Sequence, residues 1–248
     1  WEPFSDRNLR QFCIKRNLYK GVFGNKIIFE EINLTLGLTF KYQWASSNEY
    51  GFVKTSELIN HSGKNIQIHV LDGIQNLLPA NVNSDLQRAS SNLVDAYKRN
   101  ELHQDSGVGI YALSAIIVDK AEPSESLKSN VVWSKGLEKP KYLVSSIQVY
   151  KFRENKPIET ETDIKGEKGA YFVNSVVNLD DSQSKQWHII ANVNQSQSQI
   201  IELILNSQQD PNIIQKVLDN IDEGTENLKK LNDSADGLMF SADQFDDY

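Results

Sequence analysis

The feature that most constrains this chain is a strict two-residue alternation. Leu34, Leu36, Leu38, Phe40, Tyr42 and Trp44 alternate with Thr35, Gly37, Thr39, Lys41 and Gln43. Successive side chains of a strand point to opposite faces of the pleat, so this period lines one face with apolar groups, which no helix can do. The period returns in Ile66, Ile68 and Val70, ahead of Asp72-Gly73, a turn dipeptide. It returns in Tyr171, Val173, Ser175, Val177 and Leu179, and, after Asp180-Asp181-Ser182, in Trp187, Ile189, Ala191 and Val193. Those last two runs are expected to pair as a hairpin with a loop of about seven residues. Runs at 110–118, 130–134 and 142–150 add further strands. Many strands with few helical patterns between them predict a mainly β fold, a large antiparallel sandwich.

Helical spacing shows in two places. Asn83 or Ser84 can cap a helix whose Leu86, Ser90, Leu93 and Tyr97 share a face. The polar stretch Glu101 to Gly109 after it reads as a loop. Beyond Val193 the period changes. The polar joint Asn194 to Gln199 leads to Ile200, Ile201, Leu203, Ile204 and Leu205, a short helix. Asp210-Pro211 then has the form of a helix start, and Ile213, Ile214, Val217, Leu218 and Ile221 form an amphipathic stripe. Gly224 is expected to interrupt this helix, and the stripe to pack on the sandwich or on a further domain. The expected division is a sandwich over residues 1–195 and a helical linker with an acidic tail over 196–248, the end from Ser234 to Tyr248 being loosely ordered.

Composition narrows the function. The chain has 248 residues, 39% of them hydrophobic and 24% charged, which suits a globular protein with a sizeable core. No apolar run approaches the ~18 residues of a membrane-spanning helix. A start at Trp1 is expected of a processed product or an excised fragment. The single cysteine, Cys13, excludes an internal disulfide and a multi-cysteine zinc site. Residues 1–195 hold 23 basic and 22 acidic side chains, whereas residues 196–248 hold 3 and 11. The acidic end repels phosphates and the front offers no basic stripe, so nucleic acid is not an expected partner.

Motifs for chemistry are sparse. His61, His69, His103 and His188 form no HExxH or zinc spacing, and a surface or half-buried role is expected of them. There is no GxSxG elbow, although a spatial Ser-His-Asp triad stays open. Gly107-Val108-Gly109 lacks the third glycine of a dinucleotide fingerprint, and no phosphate-loop sequence occurs. No cofactor and no metal are implied. Glu159, Glu161 and Asp163 alternate, as do residues on one face of a strand, and they read as a solvated edge rather than a glycosidase pair. Glu30-Glu31 reads the same way. Trp44 and Trp187 read as core, and Trp133 as a strand-end residue that is either packed or exposed. The four Asn-X-Ser/Thr triplets are near chance in so Asn- and Ser-rich a chain.

Four stretches stand together: Val70 to Pro79 (VLDGIQNLLP), Leu93 to Leu102 (LVDAYKRNEL), Ala121 to Glu125 (AEPSE) and Thr160 to Tyr171 (TETDIKGEKGAY). With them, most of residues 25–200 resembles the N-terminal region of large bacterial proteins related to cellobiose phosphorylases and cyclic β-1,2-glucan-processing enzymes. The resemblance implies a galactose mutarotase-like β-supersandwich followed by a helical linker. In that group an (α/α)6 barrel follows and holds the catalytic groups, so no catalytic residue transfers to this chain. The resemblance therefore implies a non-catalytic module of a glycoside hydrolase or phosphorylase; composition reads as soluble, and the compartment stays open with the bacterial cytoplasm favoured. It would support or border the active site of an (α/α)6 domain in the same or a neighbouring chain. Its partners would be that domain and a carbohydrate, with no membrane. Sugar contacts would fall on Trp133, Asp72, Asn76 and His103, because turns and loops at strand ends carry function. A mutarotase-like epimerase and a freestanding carbohydrate-binding module remain the alternatives.

Overall fold

A computed structural model describes residues 1–115, 127–235 and 237. Its strands and helices, in chain order, are β1 (Ile14–Lys20), β2 (Lys26–Asn33), β3 (Leu38–Ser47), β4 (Gly51–Asn60), β5 (Ile66–Leu77), α1 (Ser84–Ala89), α2 (Ser91–Tyr97), β6 (Lys98–His103), β7 (Val108–Leu113), β8 (Lys128–Lys135), β9 (Lys141–Ser145), α3 (Val149–Arg153), β10 (Asp163–Lys165), β11 (Gly169–Leu179), β12 (Ser184–Ser196), α4 (Gln197–Gln209) and α5 (Ile213–Ser234). Every ladder is antiparallel. The wide sheet runs β1-β2-β3-β4-β12-β8-β7-β6-β10, and the narrow one β5-β11-β9. The expected mainly β sandwich with C-terminal helices is the observed fold. Positions 116–118 of one expected strand, the AEPSE segment and all of the tail beyond Ala235 except Gly237 lie outside the described residues.

Two apolar layers hold the sheets. Between them, Leu58, Val132, Trp187 and Ile189 of the wide sheet meet Tyr171, Val173, Val177 and Leu179 of β11. On the other face of the wide sheet, Ala45, Val53, Val131, Trp133 and Ile190 meet Ile200 of α4 and Ile213, Val217 and Ile221 of α5. The helical stripe thus packs on the sandwich itself. Asn220 fixes the register of α5, its Oδ1 accepting from Ser47 Oγ at 2.5 Å and from the Glu49 N–H at 3.2 Å. Ser196 and Gln199 cap α4 reciprocally.

Several expectations are corrected. The eleven-residue alternation is not one strand. Asn33 Oδ1 accepts from the Leu36 N–H at 3.0 Å and Gly37 has φ +66°, so residues 34–37 form the β2–β3 turn, with Leu34 and Leu36 exposed. Asp72-Gly73 is no turn but the middle of β5. Gly73 is needed there because a Cβ would lie 2.2 Å from the Tyr171 carbonyl and 2.4 Å from the Phe172 ring. β11 and β12 are not a hairpin either, because they belong to different sheets. Asn60 builds that corner, with Nδ2 donating to the carbonyls of Lys64, Leu179 and Asp180. The expected loop at 101–109 is mostly the β6–β7 hairpin, and 142–150 splits into β9 and the start of α3. The 83–97 pattern forms two helices broken at Ser90, although Asn83 does cap the first, accepting from the Leu86 N–H at 2.7 Å. The last helix begins at Ile213 rather than Pro211, and it runs through Gly224.

The two glycines give opposite expectations. Gly73→Ala overpacks the β5–β11 contact and should cost about 1–3 kcal/mol. Gly224 lies in helix with nothing within 4 Å of an added Cβ, so Gly224→Ala should stabilise by about 0.5–1 kcal/mol. Urea unfolding of the two variants checks both signs.

Candidate functional site

A charged cluster centred on Asp72 lies in the interior between the sheets. Asp72 projects from β5 toward β4, where Oδ1 meets Lys54 Nζ while Oδ2 accepts from Ser56 Oγ at 2.7 Å and from Trp187 Nε1 at 2.8 Å. Lys54 also lies 5.1 Å from the centre of the Tyr42 ring. Both charged side chains are almost wholly buried. Three donors from the opposite sheet occupy the carboxylate, so Asp72 is an intersheet tie.

The other residues singled out from the sequence lie apart from one another. Trp133 is 1% exposed inside the layer beneath α4 and α5, where it presents no face to a solute. His103 ends β6, its Nδ1 paired with Ser106 Oγ at 2.8 Å in the hairpin turn. Asn76 alone borders an open cleft. Glu31 and Glu161, expected in solvent, are buried because each carboxylate collects donors from distant segments. Glu30 is also buried, accepting from Asn17 and Tyr19 and paired with Lys41. Burial works to raise its pKa, but those donors outweigh it and hold the carboxyl below its ordinary range. Trp44 is half-buried rather than core, whereas Trp187 is core.

The cleft has a volume of about 410 Å³ and opens where β5, β9 and β11 meet α2. A β-bulge forms one wall. Gln75 opposes Ala170 and Leu77 opposes Gly169, leaving Asn76 as the extra residue at φ +58°. Such a bulge re-aims a side chain away from the ladder. The segment Gly166-Glu167-Lys168-Gly169 forms a second wall, with Gly166 at φ +73° and the Glu167 carbonyl held by Asn100 Nδ2 at 3.3 Å. The third wall is the turn carrying Ser146 and Ile147. Glu161 organises that turn, its Oε2 accepting from the N–H groups of Val144 (2.9 Å) and Ser145 (2.8 Å) and from Ser145 Oγ (2.9 Å). Its Oε1 accepts from Gln148 Nε2 at 3.0 Å. Asp95, on the rim, is engaged by Lys98 at 2.7 Å.

The cleft therefore offers the amides of Gln75 and Asn76, the hydroxyl of Ser146, the ends of Glu167 and Lys168, and the exposed apolar chain of Ile147. Convergent donors and acceptors beside a small apolar surface suit a hydroxyl-rich, largely uncharged solute. A second cavity, of about 160 Å³ beside Ser134, Tyr142 and Trp187, has room for a handful of waters. Among the described residues, no group of three or more His, Cys, Asp or Glu side chains gathers to hold a metal ion. No described helix is long and apolar enough to cross a membrane. Gln75, Ser146 and Lys168 were not singled out from the sequence. The Gly-Glu-Lys-Gly run carried a loop signal, but nothing local marked the turn at Ser146.

No protein-family model matches the chain, and no curated protein matches its sequence. Solved structures that resemble it include a bacterial glucoamylase complexed with acarbose, at 9% identity and TM-score 0.49 over 86% of this chain and 28% of that one. A human-microbiome protein described as a kojibiose phosphorylase gives 8% identity and TM-score 0.43 over 89% and 25%. Heparinase III gives 10% and 0.37 over 75% and 22%. The chain thus spans only about a quarter of the length of these structures. At such identities, and with TM-scores under 0.5, they assign it neither a family nor an activity.

Two side chains yield expected outcomes. Removing the Glu161 carboxylate leaves buried N–H groups without acceptors, so Glu161→Ala should cost about 1–3 kcal/mol for each stranded donor. Its amides at 144–148 should also lose hydrogen-exchange protection. His188 is buried, with Nδ1 paired to Thr55 Oγ1 at 3.0 Å, and burial holds its pKa below the ordinary 6.5. The unfolded chain therefore takes up a proton below pH 6.5 that the folded chain refuses. Stability should fall with pH from there until the lower folded pKa is passed, with a slope of at most about 1.4 kcal/mol per pH unit. Urea midpoints across that window should fall less steeply in His188→Gln than in the parent.

Proposed function

We propose that this chain is a non-catalytic sandwich module of a carbohydrate-active enzyme of the glycoside hydrolase or phosphorylase type. Its polar cleft would hold a neutral sugar unit beside an active site supplied by an (α/α)6 domain of the same or a neighbouring chain. The observation that carries the reading is the cleft at the β5 bulge, where Asn76, Gln75, Ser146 and Lys168 converge around the apolar Ile147. Amide and hydroxyl groups pair with ring hydroxyls in both directions, and Ile147 takes the C–H face. The charges at the rim are of both signs, which favours a neutral sugar over a polyanion. The sequence resemblance to cellobiose phosphorylase-related proteins supports the same class, and the galactose mutarotase-like layout belongs to this proposal.

The role as a supporting module draws on the C-terminal helices. We place the join between sandwich and linker at residues 195–196, where the β12 ladder gives way to α4. α4 packs on the sheet through Ile200 yet leaves Ile201 and Leu205 exposed one turn apart. Such a second apolar face suits a contact with a following domain. Epimerisation by a mutarotase-like route would need an acid and a base on the bound sugar, and among the described residues no histidine borders the cleft.

The test is an NMR titration of the chain with cellobiose, sophorose and maltotriose. One of them should shift the amides of Asn76, Ser146 and Lys168. Asn76→Ala should weaken that binding about tenfold, the loss of one or two neutral hydrogen bonds. Unchanged cleft amides with all three sugars would defeat the reading.

A further inference from the structure

Residues 1–5 cross the inner face of the wide sheet without joining any ladder. Main-chain bonds in this region stay local, Ser5 to Glu2 and Leu9 to Asp6. One carboxylate supplies two of the ties that hold the segment down. Glu31 is fully buried on β2, its Oε1 accepting from Trp1 Nε1 at 2.6 Å and its Oε2 from the Phe4 N–H at 2.7 Å. Arg16 holds the same Oε2 at 2.8 Å and reaches the Ser5 carbonyl at 3.1 Å. A bidentate pair at the surface, Arg153 Nε and Nη2 donating to the two Glu2 oxygens at 3.1 and 2.5 Å, adds a further tie.

The Phe4 ring stands on an aromatic floor. Phe29 and Tyr42 are stacked, 4.9 Å apart and 17° from parallel, and Phe4 meets Tyr42 edge-on at 5.2 Å. Phe40 and Trp187 continue the floor inward. Phe4 reaches this place at φ +65°, a left-handed backbone that is strained for a bulky side chain. Strain of this kind is held by the surrounding structure, and it recurs at ligand clamps and switch segments. All five residues of the segment are only half-buried.

From this we infer that residues 1–5 are a displaceable plug, and that the face beneath is a second sugar subsite for a pyranose, with Phe4 in the ring position. The inference takes its ligand class from the proposed function and its geometry from Glu31. The two oxygens of that carboxylate each receive one donor from the plug, as they would from the two O–H groups of a vicinal diol. Arg16 stays on Oε2 and donates to a further hydroxyl. Apolar C–H groups of the sugar would take the place of the Phe4 ring, which now meets the stacked Phe29–Tyr42 pair at right angles. Ligand and plug exclude one another, so the apparent affinity of the intact chain is reduced to the fraction of time the plug is open.

The experiment compares the intact chain, a chain lacking residues 1–5, and Phe4→Ala in the full chain, which removes the ring and keeps the backbone strain, should the shortened chain not fold. Cellobiose and sophorose are titrated by NMR, reading Phe29, Tyr42 and Trp187 for the floor and Asn76 and Ser146 for the cleft. The expected result is binding at the floor at least about tenfold tighter when the plug is removed or loosened. That gain should vanish on adding Glu31→Gln, since an amide presents one acceptor where the carboxylate presents two. In the intact chain the Phe4 amide should exchange at least about tenfold faster than the β2 amides. Shifts at the cleft without any at the floor of a folded variant overturn this inference and leave the proposed function standing. Shifts at the floor alone do the reverse, and silence at both sites removes both. A Phe4 amide as protected as β2 also overturns the plug.

Discussion

A carboxylate between two sheets can keep its charge only if donors meet it there. Asp72 is met from the opposite sheet by Lys54, Ser56 and Trp187. Because all three donors belong to β4 and β12, only one placement of β5 over the wide sheet satisfies the charge. Sliding β5 by one residue would turn Asp72 outward and leave the Lys54 ammonium buried without its partner, a loss of about 3–5 kcal/mol in comparable pairs. An apolar pair of the same volume would pack well and tolerate more placements. What the ion pair supplies is register, and β11, which pairs with β5 from residue 66 to residue 77, inherits it.

The cleft follows from that register. With β5 fixed, its far end must accommodate one residue more than β11, and the bulge at Asn76 takes up the difference. The same strand thus has an interior anchor at residue 72 and a solvent-facing side chain at residue 76. The turn opposite is not part of any ladder, and Glu161 gives it shape by gathering two backbone N–H groups, a hydroxyl and an amide. The polar groups that converge on the cleft are therefore held by the sheet on one side and by a buried carboxylate on the other.

The class of fold was legible because period-two alternation is a property of single strands. It marked β11 closely, the middle of β12 and only the start of β5, and helical spacing marked α5. Which strands are neighbours was not legible. Tyr171–Leu179 and Trp187–Val193 read as a hairpin because a short polar link between two alternating runs is the usual signature of one. The bonds that send them to different sheets come from Asn60, more than a hundred residues away. The strands β1, β2 and β4 escaped notice because charged residues interrupt their alternation. Of the cleft, Asn76 was singled out from the sequence, and its neighbours enter only through tertiary pairing. Trp133 and Asp72 were singled out for positions at chain turns that the structure places inside packed layers.

Glu31, Asp72 and Glu161 share one cause for these misreadings. A sequence assigns a carboxylate to solvent by default, because an unpaired buried charge is costly and its partners are not adjacent in the chain. These three stand where no ladder connects two segments: the N-terminal crossing, the gap between sheets, and the turn after β9, whereas buried Glu30 bonds within the laddered strands β1 to β3. A sheet satisfies its own backbone groups, but a segment lying across a sheet must find acceptors elsewhere. A side chain with two oxygens can serve several such donors at once. That is why the acidic residues least expected to be structural tie together the parts of this molecule that its hydrogen-bonded ladders leave separate.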